Sequence, residues 1–387
     1  MRSSYIVSAA ATAVGEHYAR SLSDLASEAV RSAFAALPEV SPERVGALFV
    51  ANAMGETLAS QGQLGAYLAH AVGLRGVPAL RVEAAGASGG VALHQAAQAI
   101  ATGQCDLVVV LGAEKATDRL EGALETALAL HTDAEAEAIH GLTLTSQWAM
   151  LMRRYMHEYN YGLEAFAPFP VNAHANAAKN PQALYRFAIN ADKYRKAGMV
   201  ASPLNMLDCS SVADGAACVI LAAESLAREF PGPLVRLAGT AIATDTPSLG
   251  ARRNPLDLEA ARASAHVALG RAHLGLSSVQ VFELSDPHGI AAVLALESIG
   301  YYERGEAPRH AADGAIAPTG RTPLATAGGY KARGDIVGAS GVYQVVELVR
   351  QLRGEAGPTQ VADARVGLAQ TLGGIGATAA TAVIVAE

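Results

Sequence analysis

The tetrapeptide Gly-Ala-Ser-Gly occurs twice in this chain, at residues 86–89 and 338–341, and each copy runs straight into a helical pattern. Residues 83–103 read E-A-A-G-A-S-G-G-V-A-L-H-Q-A-A-Q-A-I-A-T-G, and a β-branched strand at 106–111 follows. The second copy opens V-Y-Q-V-V-E-L-V-R-Q-L. A small-residue loop opening a helix gathers free backbone N–H groups and the positive end of a helix dipole at one point. Such a junction suits a nucleophile, or an oxygen that becomes negative during a reaction. The residue at the tip is Gly86, which has no side chain to react.

The rest of the chain falls into place around these two junctions. A strand at 5–11 precedes a helix capped by Ser23, with Leu25, Ala29, Val30, Ala33 and Phe34 at helical spacing and Pro38 as its end. A strand at 44–52, a helix at 61–71 and a strand at 79–83 lead into the Gly86 loop. After the strand at 106–111, G-A-E-K-A-T-D is a loop at a strand's carboxyl end, where open α/β sheets bind ligands. Residues 118–206 form a long, mostly helical insertion rich in aromatics, which reads as a cap over a site. The chain returns to the sheet at 207–222, and Pro231-Gly-Pro marks a boundary. Beyond it come a strand at 234–243, a helix at 259–274, a strand at 278–283, a helix at 289–299 and closing strands at 366–371 and 381–385. Strand, glycine-rich turn, helix and strand thus recur, which reads as an internal duplication. Residues 1–117 with 207–232 form one half and 233–387 the other, with a site where the loops of both meet.

Bulk properties narrow the function. Hydrophobic residues make up 51% and charged ones 17%, with 38 glycines, which favours buried sheet and tight connections over disorder or coiled coil. A net charge of −7 argues against nucleic acid as the main partner, while leaving room for a local basic patch. Cys105, Cys209 and Cys218 match no metal-ligand spacing and no disulfide framework, so they read as free thiols in a reducing compartment. No apolar run approaches a membrane span and no leader is evident, so the expectation is a soluble, cytoplasmic protein.

Six phrases in order carry a resemblance that covers essentially the whole chain: V-E-A-A-G-A-S-G-G, H-A-N-A-A-K-N-P, D-C-S-S-V-A-D-G-A-A, A-G-G-Y-K-A-R-G, V-G-A-S-G and A-Q-T-L-G-G-I-G. The sequence resembles the thiolase superfamily, closest to its sterol-carrier-protein-type and archaeal-type branch. The resemblance implies an α/β, thiolase-like fold. Two duplicated βαβαβαββ-type halves, each with a mixed five-stranded sheet, would pack as α/β/α/β/α layers, with the helical cap inserted in the first half. It also implies chemistry at a carbon–carbon bond beside a coenzyme A thioester, with no permanently bound cofactor. The family's cysteine nucleophile, activating histidine and second cysteine fall on Gly86, Asp335 and Thr371, and its H-D-x-F phrase reads Ser285-Asp286-Pro287-His288. The usual asparagine before S-G-G is Ala325. Glycine forms no acyl-enzyme, and threonine is a poor proton shuttle. The backbone N–H groups of Gly86 and Gly373 match the family's oxyanion hole, which does not depend on side chains.

Each remaining candidate carries two readings. Asp335 is a general base raised by burial, or a carboxylate that caps the next helix or pairs with Arg333. His288 takes over acid/base work, or is a packed histidine bonded to Asp286. Tyr330 donates a proton to an alkoxide or simply packs, and Ser285 holds a water or is structural. Lys179, Arg186, Lys193, Arg195 and Lys196 form a basic rim for the coenzyme's phosphates or a solvated face, and His174, grouped with the coenzyme contacts, helps shape the acyl tunnel. Three functions follow. The first is a non-covalent aldol or retro-aldol enzyme, and the second an inactive subunit that binds acyl-CoA or supports a partner. The third is an acetyl-CoA C-acyltransferase with a rearranged site. The family adds a homodimer or larger assembly and a small OB-fold, zinc-ribbon partner protein.

Overall fold

The computed structural model describes residues 2–230 and 232–387, so Pro231 of the expected boundary lies outside the described residues. In chain order the first half comprises β1 (Ser4–Ala11), α1 (Leu22–Ala35), β2 (Ala47–Ala51), α2 (Leu64–Ala71), β3 (Ala79–Val82), α3 (Ser88–Ala101) and β4 (Leu107–Glu114). The insertion carries α4 (Leu144–Tyr159) and α5 (Pro168–Ala177), and β5 (Gly215–Ala223) then closes the half. The second half comprises β6 (Val235–Thr244), α6 (Glu259–Ala272), β7 (Val281–Leu284), α7 (Gly289–Ser298), α8 (Ser340–Arg353), β8 (Val366–Gly373) and β9 (Thr378–Ala386).

The strands lie in the order β3-β2-β4-β5-β1-β6-β9-β8-β7. In the first five, β3, β2 and β4 run parallel, and β5 and β1 antiparallel. The remaining four mirror them: β7 and β8 are parallel, β9 and β6 antiparallel, and a lone bridge from Phe282 to Leu324 stands where a fifth strand would be. The two sets meet through three residue pairs between β1 and β6. The duplication is therefore visible strand by strand.

β4 and β5 are buried at every position. That is why they read as continuous apolar runs without alternation, as strands covered on both faces do. Between the two sheets lie α3 and α8, back to back. A Cβ on Gly89 would stand 2.7 Å from Val342 N, and one on Gly341 2.8 Å from Gly90 N, so only glycine permits this approach. With α1 and α2 on one outer face and α6, α7 and the cap on the other, the layers are α/β/α/β/α. The cap's Trp148, Tyr155 and Phe166 share a core with Phe282, Ile290 and Leu294, so this part of the insertion packs on the second half, while Leu124 and Leu128 stay with Met54 and Leu58 of the first.

Several boundaries differ from expectation. Ser21, not Ser23, caps α1, in a reciprocal box with Asp24. The helix expected from 61 begins at Leu64, because Ser60 and Gln63 take left-handed backbone conformations. The strand expected from 207 begins at Gly215, and the intervening D-C-S-S-V-A-D is loop. Asp214 in that loop is fully buried and accepts from Ala116 N at 2.7 Å, Thr117 N at 3.0 Å and Lys115 Nζ at 2.7 Å, fastening the loop to the end of β4.

Candidate active site

The two Gly-Ala-Ser-Gly junctions are built alike. Each starts with a non-glycine residue at positive φ, Ala85 at 51° and Val337 at 37°. A carboxylate two residues earlier accepts that residue's N–H: Glu83 Oε1 from Ala85 N at 2.6 Å, Asp335 Oδ1 from Val337 N at 2.9 Å. The serine of each motif then accepts from the residue between, Ser88 from Ala84 N and Ser340 from Ile336 N, both at 2.9 Å. Asp335 is thus the structural twin of Glu83. It also accepts from Ser340 Oγ at 3.0 Å and Ser210 Oγ at 3.4 Å. Its alternative partner, Arg333, bonds instead to Glu347 at 2.9 Å. Burial raises the Asp335 carboxyl, and these hydrogen bonds oppose the rise.

The tip of the first junction presses on the end of β8. A Cβ on Gly86 would lie 2.5 Å from the Leu372 carbonyl oxygen, and one on Gly373 would lie 2.5 Å from Ala84 O. Gly86 and Gly373 therefore sit on backbones in direct contact. Thr371 points its hydroxyl at Ala380 O (3.3 Å) and Ala87 O (3.4 Å), tying helix loop to strand. Ser285 bridges the next layer: its Oγ accepts from Leu372 N at 2.9 Å and donates to Tyr330 Oη at 3.1 Å. Tyr330 is buried, and burial raises its hydroxyl well above the phenol range, so it stays a neutral donor. Its N–H donates to Asp286 Oδ1 at 2.7 Å.

Three titratable groups around this bridge were not singled out from the sequence. Burial raises Asp286 to about 7, with Tyr330 N–H and Arg333 opposing. Burial lowers Lys331 to about 8, against the pull of Cys209, Asp208 and Asp286, and its Nζ donates to Cys209 O. Burial raises Asp208 to about 6, and its Oδ2 accepts from Tyr194 Oη at 2.7 Å. For Lys331 the available signal was a cluster of charge, K-A-R-G-D, set among glycines and apolar residues.

His288 stands at the N-terminus of α7, its ring 6.3 Å from that of Trp148. The bond to Asp286 weighed from the sequence is not formed, since Asp286 accepts from Tyr330 and His288 Nδ1 is buried without a partner. Burial, then Lys331, lowers this imidazole to about 3, so it is neutral at ordinary pH. His174 is not a rim residue: it is 1% exposed, stacked on Tyr185, with Nδ1 3.1 Å from Phe187 O. The asparagines beside it do the local work. Asn172 and Asn176, one helical turn apart, and Asn180, three residues past the end of α5, donate to Leu324 O, Ala325 O and Ala327 O at 2.9–3.0 Å. They hold Ala325 at φ 52° and so fix the loop that presents Tyr330 and Lys331.

Lys179, Arg186, Lys193 and Arg195 are exposed, and Arg195 pairs with Asp192 at 2.7 Å. Lys179 lines a cavity of about 420 Å³ with Gln182, Thr326 and Arg350, without the other three. No cysteine stands at the Gly86 loop. Cys105 and Cys218 are buried, and burial, followed by Asp208, pushes Cys209 up to about 12.

Comparison with known proteins agrees with this fold. The thiolase N-terminal domain matches residues 4–225 and the thiolase C-terminal domain-like family matches 241–386. An acetyl-CoA acetyltransferase of Methanothermobacter thermautotrophicus is 37% identical over 382 residues, covering 98% of each chain. Human sterol carrier protein 2 is 27% identical, covering 95% of this chain and 68% of its own. Among solved structures, the Ltp2-ChsH2(DUF35) aldolase superposes with a TM-score of 0.86 at 26% identity, covering 99% of this chain and 98% of its own.

Proposed function

Because this chain belongs to the thiolase superfamily, we propose that it acts on an acyl-CoA thioester at a carbon–carbon bond without a covalent acyl-enzyme, as a retro-aldol or aldol enzyme. One observation carries this reading: a side chain on Gly86 would crowd the neighbouring strand, because the Leu372 carbonyl oxygen lies only 2.5 Å from where its Cβ would be. The family's covalent step needs that side chain, whereas an enolate needs only backbone donors.

In the cleavage direction, a base takes the β-hydroxyl proton of a β-hydroxyacyl-CoA and the bond between Cα and Cβ breaks. Its electron pair passes into the thioester carbonyl, giving an enolate and a free carbonyl product. Gly86 N–H and Gly373 N–H face the enolate oxygen, and one such donor is worth about 2.7–4 kcal/mol. Asp286, with a carboxyl raised to about 7, suits the base, and Tyr330, held neutral by burial and hydrogen-bonded to Ser285, suits the donor that returns a proton to Cα. His288 and Asp335 line the same region, the latter chiefly holding its turn. The aldolase named among the similar structures supports this assignment; the acetyltransferase names among the relatives favour acyl transfer, which the missing thiols oppose.

A second reading has its own observation. Asp335 is used as Glu83 is used, as a turn clamp, which fits a subunit that binds acyl-CoA without turning it over. Assembly as a homodimer with a second, small component belongs to either reading, the named aldolase being a two-part assembly. A cytoplasmic setting suits three unpaired cysteines.

The test is the purified protein, alone and with acyl-CoA and β-hydroxyacyl-CoA, beside Asp286→Asn and Tyr330→Phe. Cleavage of the β-hydroxyacyl thioester, reduced in either variant, supports the aldol reading. Tight thioester binding without turnover supports the second reading. Acetyl transfer that withstands thiol alkylation defeats both.

A further inference from the structure

Glu283, 1% exposed in β7, takes no part in the chemistry above. Its Oε1 accepts from Thr326 N at 2.9 Å and from Thr326 Oγ1 at 3.0 Å. Ser285 lies two residues further, and the pairing with β8 reaches it, since its N–H donates to Gln370 O at 3.0 Å. Side chains alternate along a strand, so Glu283 and Ser285 leave on one face. The first grips Thr326, and the second donates its hydroxyl to Tyr330 Oη at 3.1 Å. They thus hold the two ends of the segment 326–330. Between those ends stand Gly328 and Gly329 at φ 112° and 58°, and glycine by itself imposes no strong backbone preference. The segment lies close against the strand, since a Cβ on Gly329 would run into the Asp286 carboxylate. The cap asparagines hold carbonyls of the same loop, whereas Glu283 takes both donors of Thr326.

We propose that Glu283 is a positioning residue for Tyr330, the proton donor of the reaction proposed above. Through Thr326 it fixes where the segment starts, and Ser285 fixes where it ends, against Leu372 N beside Gly373. One strand face then sets the Tyr330 hydroxyl relative to the donor placed at Gly373. What Tyr330 does rests on the retro-aldol reading; where Tyr330 stands rests on these hydrogen bonds alone. A carboxylate oxygen suits the task because it accepts two bonds at once, and a charged acceptor holds them more strongly than a neutral one.

The test compares Glu283→Leu, Glu283→Gln and Thr326→Val with wild type in the full chain. Two readouts are kept apart: kcat and KM for cleavage of β-hydroxybutyryl-CoA, and the fluorine NMR line of a fluorotyrosine in place of Tyr330. Glu283→Leu is expected to lower kcat about 100-fold, the loss that a misplacement of about 1 Å carries, with KM within about twofold. Its fluorine line is expected to shift or split. Glu283→Gln keeps an acceptor oxygen, so its line is expected at the wild-type position and its kcat within about fivefold of wild type. Thr326→Val, which loses one of the two bonds, is expected to lower kcat about tenfold and to shift the line, and it keeps the test open if Glu283→Leu does not fold. A wild-type fluorine line in both Glu283→Leu and Thr326→Val overturns the proposal. So does a fall in kcat matched by a rise in KM, or a glutamine variant as impaired as the leucine one. Absence of cleavage by wild type refutes the retro-aldol reading, and the fluorine lines then still decide what places Tyr330.

Discussion

Replacing Gly86 by cysteine supplies the side chain that the thiolase resemblance places there, and the structure says what it meets. The new Cβ would lie 2.5 Å from the Leu372 carbonyl oxygen, where ordinary contact begins near 3.4 Å, so the two backbones have to part by roughly 1 Å. Neither side gives easily. β8 is paired to β9 along its whole length and to β7 on its other edge. The Gly86 loop is held by Ala87 N to Ala84 O at 2.9 Å and by both hydrogen bonds of Ser88. Forced overpacking of this kind costs about 1–3 kcal/mol. If the Gly86 N–H serves the enolate oxygen as proposed, the same shift moves it, so any enolate chemistry weakens as well. Urea denaturation should show the stability loss, and mass spectrometry after incubation with acetyl-CoA should show no acetyl adduct. The side chain that would activate a thiol here is Asp335, which is committed to Val337 N and Ser340 Oγ. A Gly86→Cys protein with unchanged stability and a stoichiometric acetyl-cysteine would refute the reasoning on both counts.

Asp286 sets an expected pH dependence. Burial raises its carboxyl to about 7, above the unfolded value of about 3.9, so between those limits the folded state keeps a proton that the unfolded state has lost. Its contribution to stability is therefore full below about pH 4 and declines as pH rises through about 7; Asp286→Asn should flatten the stability profile from pH 5 to 8, read by denaturation at each pH. If Asp286 is the base, cleavage by wild type should rise through about pH 7, and the asparagine variant should lose both the rate and its pH dependence. Glu347→Gln leaves the buried Arg333 guanidinium short of its partner and should cost about 3–5 kcal/mol in urea denaturation. The double change Arg333→Met with Glu347→Leu should cost clearly less, since no charge is then stranded; a double variant worse than the single would sink that account.

Local geometry was legible in the sequence wherever its cause is local. The repeated Gly-Ala-Ser-Gly announced two like junctions, and they fold alike down to a positive φ at Ala85 and Val337, residues that no propensity would place there. What spacing does not carry is convergence. Asp335 looked like a replaced catalyst because it falls where the resemblance puts an activating histidine, with a capping role as its other reading; only comparing the two halves pairs it with Glu83, a residue of another type doing the same job. Asn172, Asn176 and Asn180 were in plain view at a spacing of four, two on α5 and one past its end, yet the row means nothing until the carbonyls of 324–327 lie opposite it. Asp286, Lys331 and Asp208 owe their altered proton affinities to burial, which is a property of the fold and not of any neighbour in sequence. Gly86 joins the two kinds of information. The sequence shows a missing side chain, which reads as a loss; the contact with Leu372 shows that the space for it is closed as well. A nucleophile lost by one substitution would leave its cavity behind. Here the Leu372 carbonyl oxygen stands 2.5 Å from the Cβ position, so the absence of a side chain at Gly86 is matched by how closely the two halves pack there.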